Sequence, residues 1–294
     1  MDPLVFLVQC LNAIQYGLLL FLITSGLTLI FGILGVLNLA HGSLYMVGAY
    51  MAYALTPIAA SYWGGNFAIT VVVGVLLALA FGYLLEWAFF SFLYKRDHLQ
   101  QVLMTYGLIV VLEELRGIVF GNDVHSIPLP KSLEHSVSLA GVIDYPLYKL
   151  AVMLVCLALT LGMYLLIGKT RLGMRIRAGA DNRQMSRALG IDVPQLFRVV
   201  FAMGVTLAAL AGMLSAPASS VFPGMGNGVL IISFVVVVIG GIGSVLGAFV
   251  AALLVGFTDT FGKVFFPDFA SVGVYLLMTL VLLWRPTGLF GEAK

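Results

Sequence analysis

Charge is scarce in this sequence. Only 10% of its 294 residues are Asp, Glu, Lys or Arg, while 61% are hydrophobic and the mean hydropathy is +1.09. An ordinary soluble domain carries roughly a quarter charged residues, so that class is excluded, and the length leaves no room for a separate soluble catalytic domain. Cysteine is almost absent: Cys10 and Cys156 lie in apolar runs without neighbours at metal-ligand spacing, and both read as packing residues. HExxH is missing, as are the paired aspartates of membrane proteases. Met163 stands where a phosphate loop ending Gly168-Lys169-Thr170 would need its first glycine. No enzyme activity, cofactor, metal or nucleic-acid partner is therefore expected. The first residues, Met1-Asp2-Pro3, also lack the Lys or Arg of a cleavable signal peptide, so the first apolar run is expected to be retained.

Apolar stretches fill the chain instead, at about 4–34, 42–60, 67–92, 102–120, 148–168, 196–221, 229–260 and 271–285. In a bilayer these must be helices, because exposed backbone of any other kind would be left unpaired. The expected fold is an all-α, polytopic transmembrane helical bundle of about eight to nine spans with interrupted helices, forming a single membrane domain over 1–294. Of the 15 Lys and Arg, seven fall between residues 169 and 198, and Lys95, Arg96, Arg285 and Lys294 lie in other loops. The positive-inside rule puts these loops, with 169–195 foremost, in the cytoplasm. The loop at about 121–147 has mixed charges and is expected outside. The N-terminus is then outside and the C-terminus inside, provided that 229–260 turns back near Gly240-Gly241-Ile242-Gly243-Ser244.

Two interruptions stand out. Asn38 and His41, in Asn38-Leu39-Ala40-His41-Gly42-Ser43, are strongly polar within a long apolar context, where polar groups are costly unless they face protein or a water-filled path. They read either as flanking a solute route or as structural caps and carbonyl partners. A weak echo follows at Gly240, Gly241, Gly243 and Ser244, again with Gly-Ser before a run rich in small residues. Paired interrupted segments point to a transport path, although tight packing explains the glycines equally well.

The basic loop carries a third signal. Asp181 stands three residues before Gln184, a variant capping box, and Gly190 is placed to end a helix of about eight residues. Met185, Ala188 and Leu189 would share one edge of it, and Arg183 and Arg187 another. So short a helix is unstable alone and is expected to dock onto lipid or a partner protein. Among the intramembrane acids, Glu113 and Glu114 lie near Arg116, Glu86 lies within two turns of Lys95, and Asp259 has no evident partner. Interfacial salt bridges account for most of these. A stand-alone secondary transporter would instead use such acids to bind a coupling ion.

Gly32 to Ala49, Thr170 to Val193, Val238 to Ala248 and Trp284-Arg285-Pro286-Thr287-Gly288-Leu289 together resemble the LivH-type permeases of branched-chain amino-acid ABC importers, in order and over essentially the full length. The resemblance implies a multi-pass protein of a bacterial or archaeal inner membrane that moves branched-chain or other hydrophobic amino acids, or related small solutes, by alternating access. It implies as partners a second, LivM-like permease subunit, two ATP-binding cassette subunits that hydrolyse ATP, and an extracytoplasmic solute-binding protein. By position, Asp181 to Gly190 corresponds to the region that inserts into an ATPase groove, and the segments at Asn38–Ser43 and Gly240–Ser244 to stretches near the translocation path. One departure is Trp87, where relatives commonly place an Arg after the glutamate, which puts a charge pair at Glu86 in doubt.

Overall fold

The computed structural model describes residues 3–62, 64–94, 96–139 and 143–291, so Lys95 and Lys294 lie outside the described residues. The chain runs through α1 (Pro3–Leu29), which tightens into a π turn (Ile30–Leu34), then α2 (His41–Tyr62) and α3 (Phe67–Leu85). A second π turn (Glu86–Phe90) and Ser91–Leu93 prolong α3, and α4 (His98–Phe120) follows. A hairpin, β1 (Ser136–Leu139) with β2 (Ile143–Pro146), precedes α5 (Leu147–Lys169), α6 (Arg171–Asp181) and α7 (Arg183–Ala188). The chain closes with α8 (Val193–Ser215), α9 (Met225–Gly240), α10 (Val245–Phe265) and α11 (Ala270–Trp284).

Seven of the described helices are long and apolar enough to cross a membrane: α1, α2, α3, α5, α8, α10 and the segment Pro267–Trp284. That is slightly fewer than the eight to nine spans expected, and two further expected spans fall outside this set. α4 has 23 residues but carries Glu113, Glu114 and Arg116, and α9 has only 16 residues. At 1.5 Å per residue α9 covers about 24 Å, short of the roughly 30 Å of hydrocarbon in a bilayer. The two-stranded antiparallel hairpin is a small departure from the all-α expectation, confined to the 121–147 loop. It sits at the N-terminal end of α1, where Tyr145 and Lys149 both donate to Asn12 Oδ1, at 3.1 and 3.0 Å.

α1 and α8 are the most enclosed of these helices, while α5 and α11 are largely exposed, their leucines turned outward. Small residues set the spacing at the centre. Gly17 and Gly256 let α1 and α10 touch through backbone, and Gly48 and Gly212 do the same for α2 and α8. Several buried hydroxyls are satisfied within their own helices, as with Thr24 on Phe21 O, Ser25 on Leu22 O and Ser233 on Val229 O. Cys156 is buried and Cys10 half-buried, both as free thiols.

Candidate functional site

The break after α1 carries the chain back into the bundle. Gly35 adopts the left-handed conformation (φ 64°), residues 36–38 have no regular structure and residues 39–40 form a turn, with Val36, Asn38 and Ala40 buried in alternation. The segment ends at His41, which packs with Gly26 and Gly204: a Cβ added at Gly26 would lie 3.1 Å from His41 Cε1 and closer still to the Gly204 carbonyl. Gly204 is the midpoint of the 23-residue α8, so α2 begins halfway along its neighbour rather than at its end.

At that depth a second helix also begins. The backbones of Gly42 in α2 and Gly226 in α9 touch, such that a Cβ on either would overlap the carbonyl of the other, and a Cβ on Gly226 would stand 3.0 Å from Ser43 N. Two helix N-termini thus meet inside the bundle. Gly226 was not singled out from the sequence, although Pro223-Gly224-Met225-Gly226-Asn227-Gly228 carries the signal of a broken helix.

At this junction Asn38 Oδ1 accepts from Ala40 N at 3.1 Å, and His41 Nε2 bonds the Ile23 carbonyl at 2.9 Å. Both residues are fully buried, and the structural reading of their roles describes these bonds. Asn38 Nδ2, His41 Nδ1 and the nearby buried Thr28 Oγ1 have no protein partner among the described residues.

The echo at Gly240–Ser244 meets something else. Gly241 (φ 96°) and Gly243 (φ 83°) turn the chain from α9 into α10, whose first turn is capped by Ser244 Oγ accepting from Gly247 N at 3.0 Å. A Cβ on Gly32 would lie 2.6 Å from Gly243 Cα, so this turn closes on the π end of α1 and not on Asn38–Ser43. The tail beyond α11 packs here as well. Leu289 N donates to Ile239 O (2.8 Å) and Phe290 N to Gly240 O (3.1 Å), taking carbonyls that the end of α9 leaves unpaired.

α6 and α7 lie at this same end. The sequence suggested one helix capped by Asp181, but Asp181 is the last residue of α6, and Asn182 caps α7, its side chain accepting from Met185 N at 2.9 Å. α7 has six residues instead of about eight. Its stop agrees with expectation, with Gly190 at φ 83°. α6 had readable signals: its cap, Thr170 Oγ1 accepting from Gly173 N, and a pattern that puts Gly173, Ile176 and Gly179 inward and Arg171, Arg175 and Arg177 outward. Asn182→Ala is expected to remove about 1 kcal/mol from α7 and speed hydrogen exchange at Met185 to Leu189, while Asp181→Ala leaves that exchange unchanged.

Met185 (58% exposed) and Leu189 (76%) face outward together with Gln184, Arg187 and Ala188. Arg183 leaves this face and turns inward. Behind α7, a cavity of about 540 Å³ is lined by Leu172, Arg175, Leu189, Asp192, Gln195 and Val199, among others.

Three of the four intramembrane acids find partners. Glu86 is 1% exposed, accepts from Tyr94 OH at 2.9 Å and pairs with Arg198 Nε at 3.1 Å. The arginine missing at Trp87 is thus supplied by α8, 112 positions away. Burial first, and the Glu86 charge second, push the Tyr94 hydroxyl's ionisation upward, which keeps it a neutral donor. Asp259, for which no partner was evident, binds Lys263 at 2.6 Å; the i,i+4 spacing was there to be read. Glu113 pairs with Arg116 at 3.5 Å, while Glu114 is exposed.

Comparison with known proteins places this geometry. Residues 9–283 match the family model described as branched-chain amino acid transport system / permease component. The chain is 30% identical over 297 aligned positions to the high-affinity branched-chain amino acid transport system permease protein BraD of Pseudomonas aeruginosa, covering 98% of this chain and 97% of that one. It is 28% identical to the Escherichia coli permease protein LivH (99% and 97% covered). To the E. coli permease protein LivM it is also 28% identical, over 90% of this chain and 66% of the relative. No solved structure matches.

Proposed function

This chain belongs to the family of permease components of branched-chain amino acid transport systems, and on that footing we propose that it is one membrane half of an ATP-driven importer of branched-chain amino acids. The other half is a LivM-like permease. Similarity to both LivH and LivM supports two related subunits packed about a pseudo-two-fold axis. Two ATP-binding cassette subunits bind at the end bearing α6 and α7, which faces the cytosol of a bacterial or archaeal cell, and an extracytoplasmic binding protein delivers solute at the hairpin end. Paired acids and the family match favour this reading over an ion-driven carrier working alone.

The observation that carries the proposal is α7 itself: a helix too short to persist in water, capped at both ends, presenting Met185 and Leu189 to the outside beside Arg187. An ATPase groove covers that edge. ATP-driven approach of the ATPases displaces α7, and the permease halves rock between outward and inward openings. The solute route passes the α2/α9 junction, where Asn38, His41, Gly42 and Ser43 bring helix N-termini and unpaired polar groups to mid-depth. The turn at Gly240, Gly241, Gly243 and Ser244 forms the inner mouth.

The test is co-purification of the ATPases with the assembled importer. With Met185→Asp and Leu189→Asp together, ATPase co-purification and substrate-stimulated ATP hydrolysis are expected to fall by about tenfold or more, since two desolvated anchors become charges. Retention of both at wild-type levels overturns the reading.

A further inference from the structure

Arg183 does not share the outward face of α7. Arg183, the first residue of the helix, sends its guanidinium back under the bundle, where Nη2 lies 2.8 Å from the Leu34 carbonyl and 3.3 Å from that of Ile33. The same group stacks over Phe197 of α8, with Cζ 5.0 Å from the ring centroid. A Cβ on Gly35 would come within 3.4 Å of Nη2, so the left-handed glycine closes the other side of the pocket.

These carbonyls are not arbitrary partners. They end the π turn of α1, where the helix can no longer supply its own donors, and a guanidinium is the side chain able to hold two neighbouring oxygens at once. Immediately beyond them begins the non-helical segment 35–40. Unlike a helix, it has no internal ladder to absorb a displacement, only the Asn38 contacts to Ala40 N and His41 N near its far end. That far end is the start of α2 and the Gly42–Gly226 junction. A continuous set of contacts therefore runs from α7 through Arg183, Leu34 and segment 35–40 to the place where two helices begin.

We propose that Arg183 is the positioning residue that makes segment 35–40, and with it the start of α2, follow movement of α7. The proposal rests on the reading of α7 as the ATPase-facing helix. Phe197 keeps the guanidinium in line by packing in one cluster with Leu34, Val36, Ala40 and Phe201. Arg187, exposed one turn further on, has no such role.

The experiment uses the whole importer in proteoliposomes, with ATP hydrolysis and leucine uptake measured in the same vesicles. For Arg183→Gln, complex yield and hydrolysis are expected to stay within about twofold of wild type while leucine moved per ATP falls about tenfold or more, the scale of a coupling interaction. Arg183→Lys is expected to recover part of the ratio, because an ammonium can hold one carbonyl. It also serves as the deciding variant if Arg183→Gln does not fold. The proposal is overturned by an unchanged ratio, by uptake and hydrolysis falling in step with complex yield, or by ATPases that detach from the Arg183 variants, which would put Arg183 in the docking surface. ATPases that remain bound to the Met185→Asp, Leu189→Asp chain would sink the docking reading separately.

Discussion

Gly226→Val is expected to abolish solute uptake and lower the thermal midpoint of the purified chain, and Gly228→Val, two residues along the same helix, to leave both unchanged. The contrast follows from what each new side chain would meet. At Gly226 a Cβ overlaps the carbonyl of Gly42 and crowds Ser43 N, which are backbone atoms that cannot rotate away, while at Gly228 nothing lies within 4 Å. Overpacking a tight core costs about 1–3 kcal/mol where side chains can yield, and more where two helix backbones must separate. The cost falls at the point where α2 and α9 begin, so function should fail before the fold does. Gly42→Val is expected to behave the same way, and the double variant to cost less than the sum, because helices already parted leave the second valine room.

The second large effect is expected at Glu86. Its carboxylate is enclosed between Tyr94 and Arg198, and Glu86→Ala removes the acceptor for both. Loss of one partner of an enclosed ion pair is costly chiefly because the other partner is left unmatched. Here Arg198 keeps 30% of its side chain exposed and can reach water, which moderates the loss. A fall of about 5 °C or more in thermal midpoint is expected, well above a surface substitution. Glu86→Ala combined with Arg198→Leu should recover part of it. If the double variant is no more stable than the single, the pair is not what holds α3 to α8.

Most of the spans were legible because membrane helices announce themselves by uncharged length, and the places where the chain breaks were marked by Gly and Asn. What could not be read was which break meets which. Similar wording at Asn38–Ser43 and Gly240–Ser244 suggested that the two belong together, yet each closes on a different partner, Gly226 and Gly32 respectively. Depth was equally hidden. Nothing in Leu37-Asn38-Leu39 tells how far the chain climbs before His41, because that is fixed by the crossing of α1 with α8 at Gly26 and Gly204. Glu86 and Arg198 lie 112 positions apart, beyond the reach of any local rule, whereas Asp259 and Lys263 lay within it. The cap of α7 was misplaced by one residue because α6, which ends at Asp181 immediately before it, was not read as a separate helix.

The tail that hydrogen-bonds the end of α9 sets an order on biosynthesis. Leu289 is made 50 residues after Ile239, the carbonyl it satisfies. Until those residues leave the ribosome, the short helix beside the junction has two peptide oxygens facing lipid or water, and its inner end stays open. The nascent permease can therefore insert every other span and still lack a closed α9–α10 turn, and a ribosome stalled before Leu289 would yield a membrane-embedded but unlatched chain, recognisable by rapid proteolysis at the Gly240–Ser244 turn.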